Sequence, residues 1–187
     1  IIPPIHLVRR GAMVGDVLAL VLANVRTPDE REGDLTAQIA ANRVADARLQ
    51  DTVRRYGRGP TLAYASALQD YTERVLRAAI GTIPDGRYEF EDALDDDGFG
   101  EIPVKIRAAI EISGGRATVD FTGSDPQVTG SVNANYAITL SACLYAFRCL
   151  VKDDVLYNAG VSRPLTVIAP DGSIVNARRP AAVAGGN

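Results

Sequence analysis

Histidine is nearly missing from this sequence: His6 stands alone among 187 residues. One imidazole excludes a self-contained His-rich zinc site and leaves little room for Ser-His or Cys-His catalysis. Cysteine is scarce too. Cys143 and Cys149 are too few for a disulfide scaffold and read as reduced, cytosolic thiols. No apolar run approaches the roughly 18 residues that span a bilayer. The opening IIPPIHLVRRGAM sets its apolar residues before its arginines, the reverse of a secretory signal. Positive charge is not in excess either, since 20 basic and 23 acidic residues give a net −3. That balance disfavours an electropositive nucleic-acid surface. No phosphate loop of the GxxxxGKS or GxxxxGKT kind occurs, and Gly98-Phe99-Gly100 lacks the remainder of a dinucleotide fingerprint. The expectation is a soluble, cytoplasmic chain without nucleic-acid or membrane partners and with little catalytic equipment.

What is present suffices for a core. Hydrophobic residues make up 47% of the chain, with 17 Gly and 10 Pro, enough for one ordinary domain or two small ones. Both ends, apolar Ile1 to Ile5 and the closing RRPAAVAGGN, are expected to be interior points of a longer polypeptide.

The first half reads helical. Asp16 to Asn24 is a short apolar helix. Thr27 can cap the next one, Pro28 suits its first turn, and Asp29 and Glu30 favour the positive end of its dipole. Thr27 and Glu30 are spaced as a capping box. Leu35, Ile39, Leu49, Val53 and Tyr56 lie near one stripe, and Gly57 stops the helix. Pro60 opens a third helix through Leu62, Ala65, Leu68, Tyr71, Val75 and Ile80. Across the Gly57–Pro60 turn the two helices are expected to face each other as an αα-hairpin.

The second half changes period. Gly86 to Leu94 alternates Tyr88 and Phe90 with charged neighbours, and Ile102 to Ile112 alternates Val104, Ile106, Ala108 and Ile110 with Lys105, Arg107 and Glu111. After the Gly114-Gly115 turn, Arg116 to Phe121 continues the alternation. These runs predict a half-solvated antiparallel meander. A helix over roughly Asn135 to Val151 and a strand over Leu165 to Ile168, closed by Pro170-Asp171-Gly172, complete the order. The predicted fold class is α+β, an N-terminal helical hairpin followed by an antiparallel sheet with a further helix. Residues 1–84 are mainly helical, and residues 85–187 are mainly strands plus one helix.

Each candidate motif has a plain structural reading beside a functional one. Asp95-Asp96-Asp97-Gly98 fails the calcium-loop pattern, which would put Ala93 first and Val104 twelfth, so a solvated turn is favoured and no metal site is assigned. Cys143 and Cys149, six apart on a helix, point to different faces among Leu, Ala, Tyr and Phe, where cysteine usually behaves as a small buried hydrophobe. His6 reads as a lone surface or packing residue. Arg31, Asp34, Gln38 and Asn42 are spaced three, four and four along one line of the second helix. The line is either a solvated face with an Arg–Asp pair or a polar strip offering a guanidinium and a carboxylate to a substrate. Asp120, Ser124 and Asp125 flank the Phe121-Thr122-Gly123 corner, and Asn133 and Asn135 precede the last helix, where turn and cap roles are ordinary.

The blocks NVRTPDEREGDLTAQIAANR, IPDGRYEFEDALDDDG, VDFTGSDPQVTGSVNAN and LYNAGVSRPLTVIAPDGSIVNARRPAAVAGGN together resemble the hydantoinase B/oxoprolinase family, in order, from Ile2 to Asn187. The resemblance implies an interior segment, residues 1–187, of the B component of an ATP-dependent enzyme that opens a cyclic amide such as 5-oxoproline or a hydantoin. Relatives of the same pair carboxylate acetone or acetophenone, and a non-catalytic interaction domain is a third reading. It also implies an A-like partner subunit or domain that binds ATP and phosphorylates the substrate carbonyl, and a divalent metal held in a His- and Asp-rich portion ahead of the Ile-Pro-Pro stretch. No cofactor is expected in this segment. Phosphorylation turns a poor lactam electrophile into one with a leaving group, and a pocket must then admit one water while excluding the bulk. The candidate substrate-binding residues are Arg31, Asp34 and Gln38 of the ERxGDLxAQ pattern, with Asp120 and Asn133; the catalytic residues are left open.

Overall fold

The computed structural model describes residues 5–152 and 156–184. The expectations for residues 1–4 and 185–187 lie outside that range. Two compact units divide the chain, Ile2–Tyr64 and Ala65–Asn187.

In the first unit a short hairpin of β1 (Val8–Arg9) and β2 (Ala12–Met13) precedes α1 (Gly15–Leu22) and the long α2 (Pro28–Tyr56). The hairpin turns through Arg10 and Gly11, both at positive φ (51° and 82°), the conformation of a two-residue turn that matches strand twist. Arg43 reaches back from α2 and donates to the Gly11 carbonyl at 3.1 Å. Thr27 is the N-cap residue of α2 and Pro28 opens the helix, but the Thr27 side chain makes no capping hydrogen bond. The expected capping box therefore does not form, and the acidic first turn, Asp29 and Glu30, is left to favour the helix N-terminus through its dipole.

A single residue, Gly57 at φ +84°, separates α2 from α3 (Arg58–Ile80), so Pro60 falls inside the first turn of α3 instead of closing a longer link. No residue of α2 is buried; Leu35, Ile39 and Val53 of the expected stripe are half-buried, while Leu49 and Tyr56 are exposed.

The second unit holds the core. Strands β3 (Gly86–Leu94), β4 (Val104–Ser113), β5 (Arg116–Asp120) and β6 (Leu165–Ile168) form one sheet in that order, with α4 (Tyr136–Arg148) between β5 and β6 in sequence. The β3–β4–β5 meander is antiparallel as predicted, turning through Gly114 and Gly115, both at positive φ. After α4 the chain returns parallel to β5, which makes the sheet mixed. The fold is α+β.

Period two decides the buried face. Ile112 of β4 and Ala117 and Val119 of β5 turn inward against Leu76 and Ile80 of α3 and Cys143 and Phe147 of α4. Burying a side chain such as Leu76 or Ile80 contributes about 1.5–3 kcal/mol. The α3 residues buried at helical spacing are Thr72, Leu76 and Ile80; of the predicted stripe Ile80 is buried and Val75 half-buried, whereas Leu62, Leu68 and Tyr71 are exposed. Both faces of β3 are exposed, unlike the half-solvated reading. A smaller cluster of Val104, Ile174 and Val175 fills the far end of the sheet.

Candidate functional site

Where β5 ends, the chain leaves the sheet and side chains replace the missing strand. Phe121 donates its N–H to the Ile168 carbonyl at 2.8 Å, the last rung toward β6. Beyond it, the Ser124 hydroxyl accepts from the Arg107 N–H and donates to the Arg107 carbonyl, doing for β4 what a neighbouring strand would do. Asp125 accepts from the Lys105 N–H at 2.7 Å, and its own N–H donates to the Lys105 carbonyl at 2.9 Å. Ser124 and Asp125, expected as ordinary turn residues, thus cap the exposed backbone of β4.

A second layer closes over this corner. Ile174 donates to the Asp125 carbonyl, Ala134 to the Ile174 carbonyl, and Ala177 to the Ala134 carbonyl. Asn133 pins the assembly. Its side-chain oxygen accepts from the Val128 N–H at 2.8 Å, and its amide nitrogen lies 2.8–2.9 Å from the carbonyls of Val128, Gly130 and Ala182. The residue is completely buried. Asn135 caps α4, accepting from the Ile138 N–H.

Asp120 sits on the solvent face just before the corner. Its carboxylate accepts from the Thr122 N–H at 2.8 Å, and bonds from the Thr122 hydroxyl and N–H hold its pKa below the usual carboxylate value, with Arg87 and Arg107 adding to the effect. Glu89, between the Arg87 and Arg107 guanidinium groups at 2.6 and 2.8 Å, is likewise held low. Together these make a patch of fixed, ionised carboxylates and guanidinium groups suited to orienting a polar ligand. None of these carboxylates is shifted upward toward a general acid.

The Asp95-Asp96-Asp97 turn uses two of its three carboxylates to bind backbone. Asp96 accepts from the Gly98 N–H, and Asp97 accepts from the N–H groups of Phe99 and Gly130, which hold its pKa down. Gly130 admits the approach: a Cβ there would meet the Asp97 carbonyl at 1.7 Å. Among the described residues no three His, Cys, Asp or Glu side chains are placed to hold a metal. The described side chains therefore do not fit a metal site.

On α2, Arg31 pairs with Asp34 at 3.1 Å and with Glu30 at 3.3 Å, all exposed, and Gln38 and Asn42 are exposed as well. Of the sequence-predicted residues, Arg31 and Asp34 are in contact on α2. Asp120 and Asn133 belong to one corner of the second unit, the first on its surface and the second inside. Cys143 is buried and its thiol pushed up by desolvation, whereas Cys149 is exposed at the C-cap of α4, contrary to the expectation of two buried cysteines.

Sequence reasoning missed a second lock. Asn158 donates to the Thr72 hydroxyl and accepts from the Gly160 N–H, while Arg163 pairs with Asp70 at 2.5 Å and Glu73 at 3.5 Å. The NAGVSR segment carried the signal, a cap residue before a glycine, but its partner lies on a distant helix.

The pattern for hydantoinase B/oxoprolinase matches residues 1–187, the whole chain. The chain belongs to the hydantoinase B/oxoprolinase family. The beta subunit of the caprolactamase of Pseudomonas jessenii is 34% identical over 181 residues, covering 96% of this chain and 31% of that subunit. A crystal structure of the ATP-dependent caprolactamase from the same species superposes with a TM-score of 0.78 at 31% identity, over 98% of this chain and 32% of that one. The 5-oxoprolinase of Saccharomyces cerevisiae is 36% identical over 158 residues, 82% of this chain and 12% of that enzyme. A nucleotide-free acetone carboxylase shares the fold, with a TM-score of 0.70 at 18% identity over 89% of this chain and 24% of that one. The chain thus spans about a third of the caprolactamase subunit. No helix among the described residues is long and apolar enough to cross a membrane.

Proposed function

We propose that the chain is an interior part of the B component of a cytoplasmic, ATP-dependent hydrolase that opens the C–N bond of a cyclic amide. The observation that carries this reading is the family match over residues 1–187, supported by the 0.78 superposition on an ATP-dependent caprolactamase. An A-type subunit or domain supplies the ATP-dependent activation of the lactam, and the divalent metal is held by residues outside this segment. Arg31, Asp34 and Gln38 present a polar line to the substrate side of the assembled enzyme. Asp120, with Arg87 and Arg107 beside it, forms a second polar patch. Asn133, having no exposed surface, supports that corner from within.

The test is the longer polypeptide, combined with its A-type partner, ATP and a panel of 5-oxoproline, hydantoin and caprolactam. Ring opening coupled to ATP consumption is expected for at least one of them. Turnover of acetone with bicarbonate and of no lactam would overturn the reading in favour of a ketone carboxylase.

A further inference from the structure

β3 is the first strand of the sheet order β3–β4–β5–β6, so its outer edge has no partner strand among the described residues. All nine of its residues are exposed. Natural edge strands are usually blunted by brevity, proline, lysine, an inward-pointing charge or a bulge. β3 is nine residues long, contains no Pro or Lys, pairs one-to-one with β4 from Gly86↔Ile112 to Leu94↔Val104, and carries one inward charge, Asp92, on the face of Tyr88 and Phe90. The edge is left straight and able to accept another strand.

Two observations define that strand. The first is apolar surface on the side facing the core: Tyr88 and Phe90 are 43% and 72% exposed. Beside them a groove of about 310 Å³ runs between the sheet and α4, lined by Ile83, Tyr88, Ile110, Ile112, Phe147 and Leu150. The second is charge. From Asp85 to Glu101 the sequence holds eight acidic residues and one arginine, a net of −7 in a chain whose total is −3. Such an edge repels nucleic acid and anionic surfaces. It also disfavours a second copy of itself: antiparallel pairing of β3 with β3 about Phe90 sets Glu89 opposite Glu91, and like charges directly opposite are destabilising.

We propose that the outer edge of β3 receives an extended segment of another polypeptide in which Lys or Arg alternates with large apolar residues. Backbone hydrogen bonds to β3 supply register, apolar side chains cover Tyr88 and Phe90, and the basic side chains answer the exposed carboxylates of Asp95 and Glu101, since Glu89 and Glu91 are already paired with Arg87, Arg107 and Lys105. The inference rests on the edge and its charge and is independent of the reaction proposed above.

A fluorescein-labelled peptide of about nine residues alternating Lys and Val, matched to the length of β3, tests it against the same peptide with Glu for Lys. The Lys peptide is expected to bind the folded chain, to protect β3 amides from hydrogen exchange, and to weaken as salt rises. Phe90→Ala, at an exposed position, should leave the melting transition in place and weaken binding by about tenfold. The pair Asp95→Lys and Glu101→Lys, also exposed, should weaken it similarly without touching the core. Equal binding of both peptides, binding of neither, protection elsewhere than β3, or self-association of the chain through β3 in sedimentation would each overturn the proposal.

Discussion

With its amide held by three carbonyls and one N–H and no surface exposed, Asn133 presents no atom to a ligand. Its contribution is to fix the loop that follows the Asp120 corner. Truncating it leaves several buried main-chain groups without partners, each costing about 1–3 kcal/mol. Asn133→Ala is therefore expected to lower stability by at least about 2 kcal/mol, read as an earlier thermal or urea transition. The charged residues act more weakly and in a pH-dependent way. Glu89 is depressed by Arg87 and Arg107, Asp97 by the Phe99 and Gly130 N–H groups, Asp120 by Thr122, and Asp171 by Arg178. A carboxyl whose folded pKa is depressed stabilises the fold above its ordinary value and loses that contribution as pH falls through the folded value. Stability should therefore hold from neutrality to about pH 4 and decline below it. A flat urea midpoint from pH 5 down to pH 2 would contradict this.

At the scale of elements, two glycines of opposite character separate packing from propensity. A Cβ on Gly160 would meet the Gln69 carbonyl of α3 at 2.2 Å, backbone against backbone, where no rotamer change can relieve it. Gly160→Ala should cost about 1–3 kcal/mol and loosen the 159–161 turn from α3. Gly33, inside exposed α2, has open space where a Cβ would stand, with no atom within 4 Å, so Gly33→Ala should raise stability by about 0.5–1 kcal/mol. Paired thermal melts distinguish the two. The sequence pattern located β3 and β6 at their observed bounds because period two and the flanking Gly and Pro residues are local signals. It did not indicate that β6 pairs parallel with β5, since alternation carries no information about the neighbouring strand. The β1–β2 hairpin escaped notice because two-residue strands have no period to detect. The buried line of α3, Thr72–Leu76–Ile80, includes a threonine whose hydroxyl is satisfied by Asn158, a pairing across 86 positions that no local window contains.

For the whole molecule, the question is whether the polar line on α2 serves a reaction or only solvation. In the sequence, Arg31, Asp34 and Gln38 were recognisable as a line by helical spacing, while their chemical purpose came from resemblance and not from spacing. The structure makes the question answerable, because stability and function separate on this helix. No residue of α2 is buried, and Arg31 and Asp34 form an ion pair with both side chains about half exposed. Exposed pairs of this kind contribute about 0.2–1 kcal/mol. Arg31→Ala and Asp34→Ala in the longer polypeptide should therefore shift its melting temperature by no more than a few degrees. If the line faces the substrate, the same variants should lower ATP-dependent ring opening by about tenfold or more, the effect of losing roughly 1.4 kcal/mol of transition-state stabilisation. Co-purification with the A-type partner, measured on the same preparations, should be unchanged. Turnover equal to the unsubstituted enzyme would assign Arg31 and Asp34 to solvation alone. Lost turnover with an intact complex and an unchanged melt would sink the reading of α2 as a purely structural element.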